Sequence, residues 1–460
     1  MRKIILIGLD CMAPELLFDK FRNKLPNLSR LMEKGQYGRL ESSDPAITIP
    51  AWMVMSTSTS PGELGLYGFR HRKGFSYKDG WIANTTRVNA RKIWDYVSDA
   101  GGKVCLIAIP PSYPPYKVNG DLIGCFITPD VSKQYTYPSE LADEIRNVVG
   151  DYLVDVEFRL DDKGGTLKSI YDMTTKHFEV IKHLIKTRDW SFLMFVEIGL
   201  DRIHHAFWRY FDKEHHLYVP GNKYENVVED YYIFLDKKVG EVLEILNDDT
   251  IALVASDHGA KRMKGCFCVN SWLVQEGILK LKKSPRGAEP FNEDNVDWEN
   301  TIAWGWGGYY ARIFLNIRGR EQLGTVNQDD YERTRDYIAS KIKSIKGPNG
   351  ENWDTIVFKP EEIYPEARGD KPDLMVYFDN LSWRSAGSIG HTSLYLPEND
   401  TGPDDCVHSK YGIYILYDPK KPRDGKVKDA RIYDIAPTVL SLMGINVPNQ
   451  MEGKPINSNP

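Results

Sequence analysis

The sequence predicts an α/β fold in which helices flank a doubly wound, mostly parallel central sheet, with an inserted smaller cap subdomain. Short apolar runs recur along the chain, segments with helical spacing separate them, and one long stretch has a different composition. The first two observations predict the sheet and its helices, and the third predicts the insertion.

The strands are predicted from four continuous apolar runs, which lie at residues 4–9, 104–109, 192–196 and 251–255. Runs without polar alternation are typical of strands that are buried on both faces of a parallel sheet. Between these runs, apolar residues recur at helical spacing, for example over residues 167–185 and 227–246. Strands that alternate with helices favour the doubly wound arrangement.

The insertion is predicted over residues 261–371, with the core formed by residues 1–260 and 372–460. This stretch contains a lysine-rich turn, a polar segment near 287–295, a Trp/Gly run at 304–308 and an amphipathic helix over about 329–345. Core strands are expected to resume at residues 373–378 and 412–416.

Composition and charge exclude several classes of protein. Of the 460 residues, 42% are hydrophobic, and the formal net charge of −5 provides no broad positive field for nucleic acid. The sequence has no apolar window long enough for a membrane helix, and its first apolar run is too short for a signal peptide. The six cysteines are sparse and lack a C-x-x-C pair, which favours free thiols. We therefore expect a cytoplasmic protein without a nucleic-acid or membrane partner; its oligomeric state is open.

Acidic and histidine residues follow three of the predicted strands. Asp10 ends the first run, Asp201 follows the third, and the fourth leads into Ser256-Asp257-His258-Gly259. Because ligand sites of open α/β sheets lie beyond the carboxyl ends of the strands, these side chains should meet at one edge.

The spacing of these residues indicates metal binding. Asp201 and His205 stand at positions i and i+4 and share one face of a predicted helix. Asp257 and His258 lie on a tight turn that Gly259 permits. A mixed set of carboxylate and imidazole ligands without thiolate suits zinc best, with manganese as the alternative.

Further motifs complete an ordered series along the chain. Thr48 lies in a T-x-P segment, His408 precedes the run at 412–416, and residues 434–444 read D-x-A-P-T-x-L-x-x-x-G. With Asp10, the D-x-x-x-H at Asp201 and the S-D-H-G at Ser256, this series resembles the type I phosphodiesterase/nucleotide pyrophosphatase family of the alkaline phosphatase superfamily.

The resemblance implies an alkaline-phosphatase-like catalytic core with two divalent ions. In the family pattern the first ion is held by Asp201, His205 and His408, and the second by Asp10, Asp257, His258 and the Thr48 hydroxyl. Thr48 is then the nucleophile in the hydrolysis of a small-molecule phosphate ester, monoester or diester, through a phosphoryl-threonine. Pro50 near the predicted helix start and the amide groups of that helix terminus favour an anion beside Thr48.

Three residues are candidates for substrate binding. The family's His and Asn downstream of the nucleophile are missing from the stretch 64–69, and Arg70 and Arg72, which follow directly, could hold phosphate oxygens instead. His391 competes with His408 as the last metal ligand. We favour His408 because it directly precedes a strand-like run, and we assign His391 to the substrate side.

Two other functions remain open at this point. A phosphomutase is the nearest alternative, although its superfamily relatives use a serine nucleophile and carry their insertion elsewhere. A non-catalytic metal-binding scaffold is the second, although all seven expected metal-site positions hold competent residues. A sulfatase is rejected because Cys11-Met12-Ala13-Pro14 has the wrong spacing and lacks the required arginine.

Overall fold

The structure is a computed structural model that describes residues 1–456. Within these residues the central sheet has ten strands. In spatial order they are Lys426–Val427, Gln36–Glu41, Tyr411–Tyr417, Ile251–Ala255, Ile4–Leu9, Phe192–Glu197, Val104–Ile107, Gly120–Ile123 and Thr136–Tyr137, with Ala430–Arg431 beside Gln36–Glu41. The five strands from Ile251–Ala255 to Gly120–Ile123 are mutually parallel. The predicted α/β fold with a mostly parallel sheet is therefore confirmed.

The strand Ile4–Leu9 lies at the centre of the sheet because every one of its residues is apolar or small. It is fully buried and pairs in parallel with both Phe192–Glu197 and Ile251–Ala255. Gly8 allows the Trp52 ring to approach the strand closely, since a Cβ atom at this position would lie 2.6 Å from that ring and 2.6 Å from the Phe195 carbonyl oxygen. This glycine lets Trp52 pack directly onto the strand that ends at Asp10.

Helices cover both faces of the sheet. These helices are Pro26–Lys34, Thr48–Thr57, Pro61–Leu64, Ile93–Asp99, Leu141–Val149, Lys163–Thr187, Gly199–Phe211, Val227–Leu243 and Ile435–Met443, whereas Val269–Gln275, Tyr331–Lys343 and Pro360–Ile363 lie in the inserted region. Two separate apolar cores result, one on each face of the sheet. No helix among residues 1–456 combines the length and the apolarity that crossing a bilayer requires.

A second, smaller sheet forms the centre of the inserted region. Its four antiparallel strands lie in the order Ala303–Trp306, Ala311–Leu315, Leu374–Tyr377 and Ile356–Phe358, and they pack with Val269–Gln275 and Tyr331–Lys343 around a third core. Short strands complete the region: Gly265–Phe267, Trp383–Ser385 and Tyr395–Leu396 form one sheet, and Glu289–Pro290 pairs with Ser388–Ile389.

The second sheet corrects one expectation from the sequence. The run at 373–378 was expected to return to the core, but Leu374–Tyr377 pairs with Ala311–Leu315 and Ile356–Phe358 instead. A buried apolar run fits either sheet equally well, so only its partners decide its place. The chain re-enters the core through Cys406–Ser409, which pairs with Gly259–Arg262, and so the inserted region reaches beyond residue 371.

Candidate active site

Acidic and imidazole side chains converge at the carboxyl edge of the parallel strands. Asp10 directly follows Ile4–Leu9, and Asp257 and His258 follow Ile251–Ala255. Asp201 lies in the first turn of the helix Gly199–Phe211, after the strand Phe192–Glu197. All of these side chains are buried. The side chains that the sequence predicted to meet at one edge of the sheet therefore do meet there.

Thr48 is the first residue of the helix Thr48–Thr57, and it lies against the side chains that follow Ile251–Ala255. Its Oγ1 is 3.3 Å from His258 Nε2. That nitrogen is also 3.2 Å from Asp257 Oδ2 and 3.9 Å from Asp10 Oδ1. We refer to Asp10, Thr48, Asp257 and His258 as the threonine-side cluster.

A second cluster lies next to the first. His205 Nε2 is 3.2 Å from Asp201 Oδ1 and 3.2 Å from His408 Nε2, and His408 Nε2 is 3.7 Å from the same Asp201 oxygen. The rings of His258 and His408 stack at 3.7 Å and connect the two clusters. We refer to Asp201, His205 and His408 as the histidine-side cluster.

The donor atoms fit divalent metal ions. Within residues 1–456, Asp10 Oδ1, Asp201 Oδ1 and Asp257 Oδ2 are buried oxygens without a hydrogen-bond partner. An unpaired buried carboxylate oxygen is costly unless a cation compensates it. Nitrogen and oxygen ligands about 2.0 Å from one tetrahedral ion lie about 3.3 Å apart, and the separations within the histidine-side cluster are close to this value.

The three imidazoles are oriented in the same way. Each donates its Nδ1–H to an oxygen: His205 to Asp404 Oδ1 at 2.6 Å, His408 to the Ala46 carbonyl at 2.9 Å, and His258 to the Gly259 carbonyl at 3.2 Å. Their Nε2 atoms therefore face the clusters. This is the arrangement by which proteins orient histidine ligands towards a metal.

Burial sets the protonation of the threonine-side cluster. Burial and the negative charge of Asp201 raise the pKa of Asp10, and burial and the charge of Asp10 raise the pKa of Asp257. Burial lowers the pKa of His258 to about 4, so this imidazole is neutral near pH 7. A neutral imidazole is the form that binds metal.

Several supporting residues were not found from the sequence. Asp404, which orients His205, accepts hydrogen bonds from Arg384 at 2.6 Å and from Arg159 at 2.9 Å. Trp52 donates its indole N–H to Asp10 Oδ2 at 2.7 Å. Trp52 could have been noticed, because it lies four residues after Thr48 on the same helical face. The contact between His205 and Asp404 spans 199 residues and has no local sequence pattern.

Cys406 lies beside the histidine-side cluster, with its Sγ 3.4 Å from His205 Nδ1. Together with His205 and Asp404 it forms a third group that could coordinate a metal. Asp404 already occupies His205 Nδ1, and His205 Nε2 faces Asp201 and His408. This group therefore supports the histidine-side cluster rather than forming a separate metal site.

A cavity of about 620 Å³ opens beside Thr48, between the core and the inserted region. Aromatic and arginine side chains from both parts line it, including Phe69, Arg70, Phe126, Phe158, Arg202, Tyr309 and Arg312. Tyr309 also contacts the histidine-side cluster, because its hydroxyl is 3.3 Å from His205 Nε2. The cavity has room for an organic group attached to a phosphate at Thr48.

The three residues that the sequence predicted for substrate binding lie in three different surroundings. Arg70 is exposed and lines the cavity. The prediction for Arg72 is wrong: its side chain is fully buried and pairs with Glu321 at 3.0 Å, because the inserted region supplies a carboxylate beneath it. His391 lies in a neighbouring cavity, where its Nε2 is 2.7 Å from Ser388 Oγ, and it does not join either cluster.

Known proteins include a relative of this chain by sequence and solved structures of similar fold. A relative, the alkaline phosphatase PafA of Elizabethkingia meningoseptica, is 24% identical over 241 residues, which span 49% of this chain and 38% of that protein. An inactive variant of murine ectonucleotide pyrophosphatase/phosphodiesterase 5 in complex with AMP has a similar fold, with a TM-score of 0.57, 12% identity, and coverage of 97% of this chain and 96% of that one. The human protein of the same name superimposes with a TM-score of 0.56 at 12% identity, over 98% and 97% of the two chains.

The model of the type I phosphodiesterase/nucleotide pyrophosphatase family matches residues 4–404, which include all three strand ends with acidic site residues and the complete helix of Thr48. The matched range therefore covers most of the chain and ends four residues before His408. The chain belongs to the type I phosphodiesterase/nucleotide pyrophosphatase family, within the alkaline phosphatase superfamily.

Proposed function

We propose that this protein hydrolyses a small-molecule phosphate ester in a reaction that depends on two divalent ions and proceeds through a phosphoryl-threonine at Thr48. One ion would be held by the histidine-side cluster and the other by the threonine-side cluster. Zinc is the favoured metal because each cluster combines carboxylate oxygens with imidazole nitrogens.

One observation carries the proposal. Three buried carboxylate oxygens without a hydrogen-bond donor and three imidazole Nε2 atoms form two adjoining clusters, and the Thr48 hydroxyl lies 3.3 Å from the His258 Nε2 of one of them. A purely structural cluster would satisfy its buried oxygens with donors from the protein. Here the donors satisfy only the outer carboxylate oxygens, as Trp52 does for Asp10 and Arg202 for Asp201.

Thr48 is positioned for attack on phosphorus. It begins a buried helix, and the positive end of that helix dipole favours the anionic phosphate beside it. Bound divalent ions would supply Lewis-acid stabilisation of the developing charge and a lower pKa for the hydroxyl. Thr48 Oγ1 forms a bond to phosphorus as the ester oxygen leaves, and the threonine proton ends on the released alcohol. Water then attacks phosphorus and the Thr48 oxygen leaves with a proton from that water, which restores the hydroxyl and releases phosphate, or a phosphate monoester where the substrate is a diester.

The test compares the zinc-loaded protein with its Thr48→Ala variant on a panel of aryl and nucleoside phosphate mono- and diesters. We expect Thr48→Ala to lose activity by several orders of magnitude, while its metal content and melting temperature stay close to those of the parent. Thr57→Ala, at the other end of the same helix, is the matched control and should keep turnover.

Mass spectrometry of acid-quenched reactions should show a phosphoryl group on the peptide that contains Thr48. A second panel, with manganese in place of zinc, identifies the more effective metal. Undiminished turnover in Thr48→Ala would exclude the covalent route. A parent protein that binds two ions but cleaves no ester of the panel would favour a metal-binding scaffold instead.

A further inference from the structure

The cavity beside Thr48 continues into a second cavity of about 470 Å³ within the inserted region. The two cavities share six lining residues, namely Arg70, Gly307, Arg312, Gly387, Asp400 and Thr401. Together they form one groove, which begins at Ile47, next to Thr48, and ends near Phe291 and His391. This groove is longer than a phosphate group alone requires.

Most arginines of the groove already have carboxylate partners. Arg159 and Arg384 pair with Asp404, and Arg202 pairs with Asp155 and Asp201. Arg70 and Arg312 differ, because within the part of the chain that the structure describes no carboxylate lies within ion-pair distance of either guanidinium. Both residues lie where the two cavities meet.

Arg312 is the more informative of the two. It is only 9% exposed, it lies over the Trp306 ring at 5.1 Å, and it donates one hydrogen bond to the Arg70 carbonyl oxygen. A guanidinium that is buried without an anion pays a desolvation cost that is not recovered. The nearby Asp400 does not compensate it, since its Oδ2 accepts hydrogen bonds from the amides of residues 387 and 388 and from Ser388 Oγ.

We propose that Arg70 and Arg312 bind a second anionic group of the substrate, a carboxylate or a phosphate joined to the scissile ester by a short organic linker. Guanidinium groups bind such anions with two parallel hydrogen bonds. Arg70 lies on the strand Arg70–Arg72, which pairs with Gly80–Ile82 outside the central sheet, and Arg312 lies on Ala311–Leu315 of the second sheet. A substrate held by both would bridge the core and the inserted region. This inference rests on the proposed function and names its substrate class.

The test measures binding rather than turnover, with two phosphonates that the enzyme cannot hydrolyse. Butylphosphonate and carboxypropylphosphonate have the same chain length, and only the second carries a terminal anion. Calorimetry on the zinc-loaded protein should show that carboxypropylphosphonate binds about tenfold more tightly, the gain expected of a charge-assisted hydrogen bond. Inorganic phosphate added at increasing concentration shows whether a free phosphate competes at the same site.

Two variants test whether Arg312 and Arg70 cause the tighter binding of carboxypropylphosphonate. Arg312→Gln should reduce the affinity ratio of the two phosphonates to about one, while the affinity for butylphosphonate stays unchanged. Arg70→Gln should reduce the ratio as well, and because Arg70 is exposed this variant tests the site even where Arg312→Gln lowers stability. Arg318→Gln, which removes an exposed arginine of the same region outside the groove, is the control and should keep the ratio.

Equal affinities of the two phosphonates for the parent protein would overturn the inference. It is also overturned if the preference survives in both Arg312→Gln and Arg70→Gln, or if neither phosphonate binds. These results differ from those that would overturn the proposed function, which fails where the parent protein cleaves no ester or where Thr48→Ala keeps undiminished turnover. Hydrolysis of simple aryl esters together with equal phosphonate affinities would keep the proposed function and discard the second anion site.

Discussion

Asp404 is a single residue that fixes the orientation of a histidine in the site. Its Oδ1 accepts the Nδ1–H of His205, and its Oδ2 accepts hydrogen bonds from Arg384 and Arg159. Burial alone would raise the pKa of Asp404, but the charges of His205 and Arg384 outweigh it, and the pKa is lowered. The carboxylate is therefore ionised near neutral pH and holds the imidazole with Nε2 towards Asp201.

Asp404→Asn should weaken metal binding at the histidine-side cluster. An asparagine keeps the shape of the side chain but removes the charge that fixes the ring, and losses of this kind cost about 10–100-fold in metal affinity. Competition with a chromogenic chelator measures the affinity directly. Asp405→Asn is the matched control, because Asp405 pairs with Arg209 and not with a histidine of the site. Equal metal affinity in both variants would assign Asp404 a structural role only.

At the scale of secondary structure, the pairing of two short strands places His408 in the histidine-side cluster. The strand Cys406–Ser409 runs antiparallel to Gly259–Arg262, with His408 opposite Ala260. Since Gly259–Arg262 directly follows Asp257 and His258, this pairing places the His408 ring against that of His258. His391 follows a different strand, Ser388–Ile389, which pairs with Glu289–Pro290 in the inserted region. The two histidines therefore belong to different parts of the molecule.

If the two clusters hold one ion each, as proposed, His408→Ala should lose one of the two ions, whereas His391→Ala should keep both. Removing His408 leaves only Asp201 and His205 in the histidine-side cluster, and two protein ligands hold zinc poorly. Elemental analysis of dialysed protein gives the number of ions per chain, and the melting temperature checks the fold of each variant. Two ions in His408→Ala, or one ion in His391→Ala, would reverse the assignment made here.

The elements that the sequence revealed are those with local signals. The strands at 4–9 and 251–255 have the predicted bounds, and the helices predicted at 167–185 and 227–246 are present as Lys163–Thr187 and Val227–Leu243. Asp201 and His205 could be paired in advance because helical spacing puts them on one face. Arg72 could not be assigned, since its partner Glu321 lies 249 residues away and nothing near Arg72 indicates burial.

At the scale of the whole molecule, the inserted region and the core share the site. The core supplies both clusters and Thr48, and the inserted region supplies Tyr309, Arg312 and Arg384 to the groove. Sequence patterns predicted a core and an insertion but not the groove between them, because a cavity depends on how surfaces distant in sequence meet. The strand Leu374–Tyr377 was misplaced for the same reason.

The buried carboxylates of the site lower the free energy of unfolding of the whole chain when no metal is bound. Asp10 and Asp257 are buried beside each other, and each has one oxygen without a hydrogen bond. Such groups destabilise a fold by about 1–3 kcal/mol each unless a cation or a donor compensates them. Bound metal should therefore stabilise the protein, by about 4 kcal/mol when the free ion is about 1,000-fold above its Kd.

Asp257→Asn should consequently destabilise the protein with metal but not without it. In the metal-free protein the amide removes a buried charge, and its N–H can donate to His258 Nε2, which lies 3.2 Å from Asp257 Oδ2. The variant should then unfold at an equal or higher denaturant concentration than the parent in EDTA. With zinc the parent should be the more stable, because the variant lacks a charged ligand. Asp418→Asn, which breaks a pair with Arg2 far from the site, should have the same effect in both conditions. If Asp257→Asn destabilises the protein equally with EDTA and with zinc, Asp257 is a structural residue and the threonine-side cluster does not hold a metal ion.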